Sequence, residues 1–136
     1  MTRLSIASTL LACFLIACET PTAPHVVGFE RVSPPPGPFT PQVFGGDGRL
    51  TIQAVFPTPC EAYDATASAH IRAGVLRLIV RGDATGPCPL DMIGTFYYRA
   101  TVTNLAPGHY AIRAIHTYAD ANWAPDSLDF GSHELR

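Results

Sequence analysis

Phe96-Tyr97-Tyr98-Arg99-Ala100-Thr101-Val102-Thr103, followed after a short break by Tyr110-Ala111-Ile112-Arg113-Ala114-Ile115, is the stretch that decides the fold. Phe96, Tyr98, Ala100 and Val102 alternate with Tyr97, Arg99, Thr101 and Thr103, and Tyr110, Ile112 and Ala114 alternate with Ala111, Arg113 and Ile115. A period of two sends successive side chains to opposite faces, so each run reads as a strand that buries one face. A helix would need apolar residues three and four apart. No window of the chain offers a convincing amphipathic helix.

The same period extends outward in both directions. Leu50, Ile52, Ala54 and Phe56 form one apolar face, Ala67, Ala69 and Ile71 another, Leu76, Leu78 and Val80 a third, and Leu128 with Phe130 a last. Turn chemistry separates the runs: Gly45-Gly46-Asp47-Gly48, Ala73-Gly74, Gly82-Asp83, Gly86-Pro87, Pro107-Gly108 and Ala124-Pro125. Nearer the amino end, 26–32 is short, apolar and β-branched, a candidate first edge strand beside a proline-rich flank. The pattern predicts an all-β domain, a six- or seven-stranded antiparallel β-sandwich over 45–136.

Asn104-Leu105-Ala106-Pro107-Gly108-His109-Tyr110 resembles the L-x-P-G-x-Y turn of immunoglobulin-like, fibronectin type III and prealbumin-like extracellular modules. Leu105, Pro107, Gly108 and Tyr110 match. The resemblance implies that the leucine plugs one end of the core and the tyrosine begins the next strand as a corner. The spacing from Leu105 to Tyr110 is one shorter than in typical fibronectin modules and fits prealbumin-like domains better. It speaks to fold, not function.

A second resemblance lies at the amino end. A basic residue, Arg3, precedes an uncharged apolar run from Leu4 that closes on Leu15-Ile16-Ala17-Cys18, as in a secretory signal peptide. Cysteine directly after Leu-Ile-Ala is similar to the lipobox of bacterial lipoproteins. The resemblance implies cleavage of 1–17, a diacylglycerol thioether on Cys18 and an acylated new amino terminus. The run is shorter than the ~20 residues of a spanning helix, and Pro21 and Pro24 follow it. An ordinary, non-lipidated signal peptide is the remaining alternative. Glu19 follows the cysteine where the retention signal of inner-membrane lipoproteins has Asp, which directs the expectation to the outer membrane if the cell is Gram-negative. Residues 18–44, crowded with Pro34, Pro35, Pro36, Pro38 and Pro41, read as a tether favouring extended polyproline conformations.

Exported residence sorts the four cysteines. Cys13 goes with the leader, Cys18 carries lipid, and Cys60 with Cys88 is expected to form a disulfide. The loop-entropy model gives roughly 3–4 kcal/mol for a ring of that size. Neither cysteine lies in a strand run, so the bridge is expected to tie loops together at one end of the sandwich. All nine basic residues are arginine, and the net charge is −2. Without clustered cations to displace phosphate counterions, nucleic acid is excluded as a partner. Membrane lipid is expected only through acylated Cys18.

No nucleophile motif, H-E-x-x-H or phosphate loop is present. His109 and His116 lie an odd number apart on one strand and should face opposite ways, so they do not form a joint metal pair. His116 continues the inward register of Tyr110, Ile112 and Ala114 and reads first as a strand-end histidine hydrogen-bonded to a loop. A metal site joining it to Asp120 or His133 is the weaker alternative. Asp120, Asn122, Asp126 and Asp129 lack the glycine and closing glutamate of a calcium loop. Tyr97, Arg99, Tyr118 and Trp123 are residue types that binding surfaces favour, and together they form the candidate binding surface. Trp123 reads equally as a cap over an open end.

The expectation is therefore a membrane-anchored, non-catalytic binding module of the bacterial cell envelope, with no cofactor. Its partner would be an envelope protein or extracellular ligand. The alternative is a structural accessory subunit without a small ligand; a metal-dependent enzyme is a more remote third.

Overall fold

The computed structural model describes residues 25, 27–88, 93–119 and 123–136. The leader 1–17, Cys18 and the first part of the tether lie outside them. Eight strands occupy the described residues: β1 (Val27–Val32), β2 (Gln42–Gly46), β3 (Arg49–Thr58), β4 (Tyr63–Arg72), β5 (Val75–Ala84), β6 (Gly94–Val102), β7 (Gly108–Tyr118) and β8 (Asp126–Leu135).

Two tight hairpins join neighbouring strands, one in each sheet. Asp47 and Gly48, both at positive φ (50° and 67°), join β2 to β3, and Ala73 and Gly74 (49° and 73°) join β4 to β5. Two left-handed residues in succession are the I′ geometry, whose twist matches that of the flanking strands. The strands then assemble as two four-stranded sheets, β1-β6-β3-β2 and β4-β5-β7-β8. The molecule is a β-sandwich.

Its core is the alternation read from the sequence. Leu50, Ile52, Ala54 and Phe56 of β3 and Phe96, Tyr98, Ala100 and Val102 of β6 pack against Leu76, Leu78 and Val80 of β5 and Tyr110, Ile112 and Ala114 of β7. Leu105 closes one end of this core, and the Tyr110 hydroxyl donates to the Ala106 carbonyl at 2.8 Å, a corner that pins the turn into β7.

Three particulars depart from the expected layout. The strand count is eight because β2, in a segment expected to be tether and turn, pairs with β3 from Gln42 to Gly46 across the expected boundary at 44/45. The sandwich is not wholly antiparallel: β5 and β7 run parallel, Val75 opposite Ala111 through Gly82 opposite Tyr118. The reason is that β6, which separates them in sequence, belongs to the other sheet. The chain crosses between layers twice and returns beside β5 in the same direction. Finally, 33–41 does not hang free. Because β1 and β2 are opposite edges of one sheet, this proline-rich segment must cross it, and Phe39 lies edge-on against Tyr97 at 5.1 Å between ring centroids.

Strand β1 is an edge strand, as expected, and pairs with β6. Just before it, the His25 amide donates to the Ala69 carbonyl of β4 at 3.0 Å, so the chain touches the edges of both sheets as it enters. Among the described residues no helix is long and apolar enough to cross a membrane.

Candidate functional site

The end of the sandwich where β3, β5 and β7 finish gathers, among the described residues, 59–62, 85–88, 93, 119 and 123–125. The Cys60–Cys88 disulfide joins the first two. It ties loops, not strands, and anchors the β5–β6 connection to the crossover between sheets. Packing here is tight. The Thr58 hydroxyl donates to the Cys60 carbonyl at 2.6 Å, and Gly94 sits so close that a Cβ would collide with both groups.

Tyr118 closes the same end from β7. Its ring stacks on Phe56 with centroids 5.3 Å apart and an interplanar angle of 13°, and its hydroxyl donates to the Pro57 carbonyl at 2.6 Å. Burial, then the nearby Asp126 carboxylate and Tyr63, raise its pKa above the usual phenol value. Trp123 packs edge-on against Tyr118 at 5.5 Å yet is 39% exposed, and Ile93, beside Gly94, is 72% exposed. Trp123 therefore does two things: one face caps the tyrosine, the other meets solvent.

Below this rim lies His116. It is completely buried. Its Nε2 is 3.1 Å from the Tyr98 hydroxyl, and its ring packs against Phe56 with centroids 5.0 Å apart. Burial keeps Tyr98 protonated by pushing its pKa far up. Nδ1 has no hydrogen-bond partner but faces Asp126 Oδ2 at 3.8 Å. The carboxylate favours the proton on Nδ1, leaving the Nε2 lone pair to accept from Tyr98. Desolvation lowers the His116 pKa and Asp126 opposes it. A Tyr–His–Asp series has the makings of acid–base chemistry, but its two ring members are sealed from any substrate.

The expected loop hydrogen bond of His116 is thus replaced by one to a tyrosine of the opposite sheet. Nor does His133 join it. His133 stands opposite Tyr110, whereas His116 stands opposite Asp126 at the far end of β8, and the His133 ring bonds the Phe130 carbonyl. Asp120 lies outside the described residues. Among the described residues no three His, Cys, Asp or Glu side chains are placed to hold a metal ion.

The expected aromatic surface is divided. Tyr118 and Trp123 belong to the disulfide end, while Tyr97 and Arg99 point outward from β6 in the other sheet. Tyr97 is half-buried under Phe39, and Arg99 Nη1 donates to Glu30 Oε1 at 2.8 Å. The exposure of Ile93 escaped the sequence reading, because a lone isoleucine before a glycine carries no periodic signal.

Comparison with known proteins adds no identity: no protein-family model, curated protein or solved structure is matched by this chain.

Proposed function

We propose that this chain is an exported, lipid-anchored and non-catalytic binding module that meets an envelope protein or extracellular ligand with the loop end of its sandwich. The observation that carries the reading is the pair of large apolar side chains, Trp123 and Ile93, exposed at the same end of the sandwich as the Cys60–Cys88 disulfide, with Trp123 packed edge-on against Tyr118. An aromatic anchor whose ring is already packed against a neighbour loses little conformational entropy on binding. Lipidation at Cys18 would set the domain on a membrane surface with this end free.

The test uses the full chain in its own cells, with a photo-crosslinking residue at position 93 or 123 and a control at exposed position 49, at the opposite end of β3. Discrete adducts from 93 and 123 but not from 49 are expected. Equal labelling from all three positions, or none from the loop end, refutes the loop end as the binding surface. Cys18→Ala should release the protein from the membrane fraction or leave an unprocessed precursor. Normal maturation with membrane retention refutes the anchor.

A further inference from the structure

We infer that the outer face of the β4-β5-β7-β8 sheet carries a carboxylate-binding groove, built on Arg77 and Arg113 and suited to a small acid with a short apolar tail. The inference goes beyond the loop-end reading and concerns a different face.

The parallel pairing of β5 and β7 sets Arg77 directly opposite Arg113, both on the solvent side. Like charges opposite each other on one face destabilise a sheet. Only one of the two is neutralised. Arg113 Nη2 donates to Asp129 Oδ2 at 3.1 Å, and the other oxygen of that carboxylate accepts from the Gly131 amide at 2.9 Å. Asp129 is thereby committed, and its pKa lies below the usual carboxylate value because of that amide and Arg113. Arg77 makes no hydrogen bond or ion pair among the described residues. Beyond it in the same cross-strand row stands His70, a further donor and not an acid.

Beside the two guanidinium groups lies an open groove of about 190 Å³, lined by Val75, Ala111, Ile112 and Asp129 as well as the arginines. The bulge of β8 shapes it. The register slips between Ile112 and Arg113, so Gly131, with no side chain, stands opposite Ile112. An anion between Arg77 and Arg113 would accept charge-assisted hydrogen bonds from both forks, which match a planar carboxylate. A short hydrocarbon tail would then lie along Val75 and Ala111. Bare phosphate has the charge and no tail; an amine has the tail and the wrong charge.

The experiment is a titration of the isotopically labelled full chain, followed by amide and guanidinium NMR signals at constant ionic strength. Butyrate, acetate, butylamine and inorganic phosphate are the probes. Saturable shifts at Val75, Arg77, Ala111 and Arg113 are expected with butyrate, severalfold tighter than with acetate. Arg77→Gln and Arg113→Gln should each weaken butyrate about tenfold, and Arg49→Gln on the other sheet should not. Three results would overturn the inference: no saturable shift with butyrate, equal binding of butylamine or phosphate, or unchanged butyrate affinity in Arg77→Gln.

Discussion

Acidification should destabilise this domain through His116 well before its exposed carboxylates contribute. In the fold the imidazole is buried and neutral, with its pKa held below the ordinary 6.5 by desolvation. The unfolded chain takes up a proton near that ordinary value. Between the two pKa values the unfolded state binds more protons, so stability is whole above about 6.5 and falls as the pH drops toward the folded value. The slope approaches about 1.4 kcal/mol per pH unit for one proton, a large share of the ~5–15 kcal/mol that holds a small domain together. The groups facing the ring determine the size of the effect. Tyr98 on β6 is uncharged, Phe56 on β3 and Val80 on β5 are apolar, and among the described residues Asp126 on β8 offers the compensating charge, from a half-exposed position. Asp129 acts in a separate window. Its lowered pKa means that its contribution persists until the pH falls below the ordinary 3.8 and is lost as the folded value is passed.

The assay is equilibrium urea unfolding from about pH 7.5 to about pH 4.5, on the wild type, His116→Phe and the double variant His116→Phe/Tyr98→Phe. The single variant keeps a ring against Phe56 but strands the Tyr98 hydroxyl, at a cost of about 1–3 kcal/mol at neutral pH. The double variant removes the stranded hydroxyl and should recover part of that. Both should lose the acid slope. A wild-type slope that persists unchanged in the double variant would refute the assignment of the proton to His116.

Reducing the Cys60–Cys88 bridge, which spans 28 residues in sequence, should lower unfolding free energy by roughly 3–4 kcal/mol; calorimetry with and without reductant reads it directly. Gly94→Ala drives a Cβ into the Cys60 carbonyl and should cost about 1–3 kcal/mol, whereas Gly46→Ala, with nothing within 4 Å, should cost about 1 or less. Equal losses in the two would contradict the close approach at Gly94. Ala73 occupies the left-handed region at φ 49°, so Ala73→Asn should raise the thermal midpoint, by an amount corresponding to about 1 kcal/mol. A lower midpoint would argue against the I′ turn.

Legibility followed the range of the forces involved. The faces of β3, β5, β6 and β7 could be read because side-chain alternation is a local property of an extended chain. The Leu105 to Tyr110 turn and the disulfide pair were legible for a related reason: each is written in a few residues of distinct chemistry. Strand β2 was missed because Phe44-Gly45-Gly46 looks like a turn, and only pairing with β3 makes it a strand. Its hydrogen bonds come from a neighbour, and no propensity announces them.

Local chemistry along the chain dictates an all-β protein, its inward faces, its hairpin turns and the two cysteines that staple one end. Which strands became neighbours was decided only in three dimensions. The double crossing that makes β5 and β7 parallel brings Arg77 beside Arg113, and the closing of two sheets brings Tyr98 to His116. The physical reason is the same in both cases. Alternation assigns a side chain to a face, whereas burial of the shared core chooses the partner across it, and that choice is a balance over the whole sandwich.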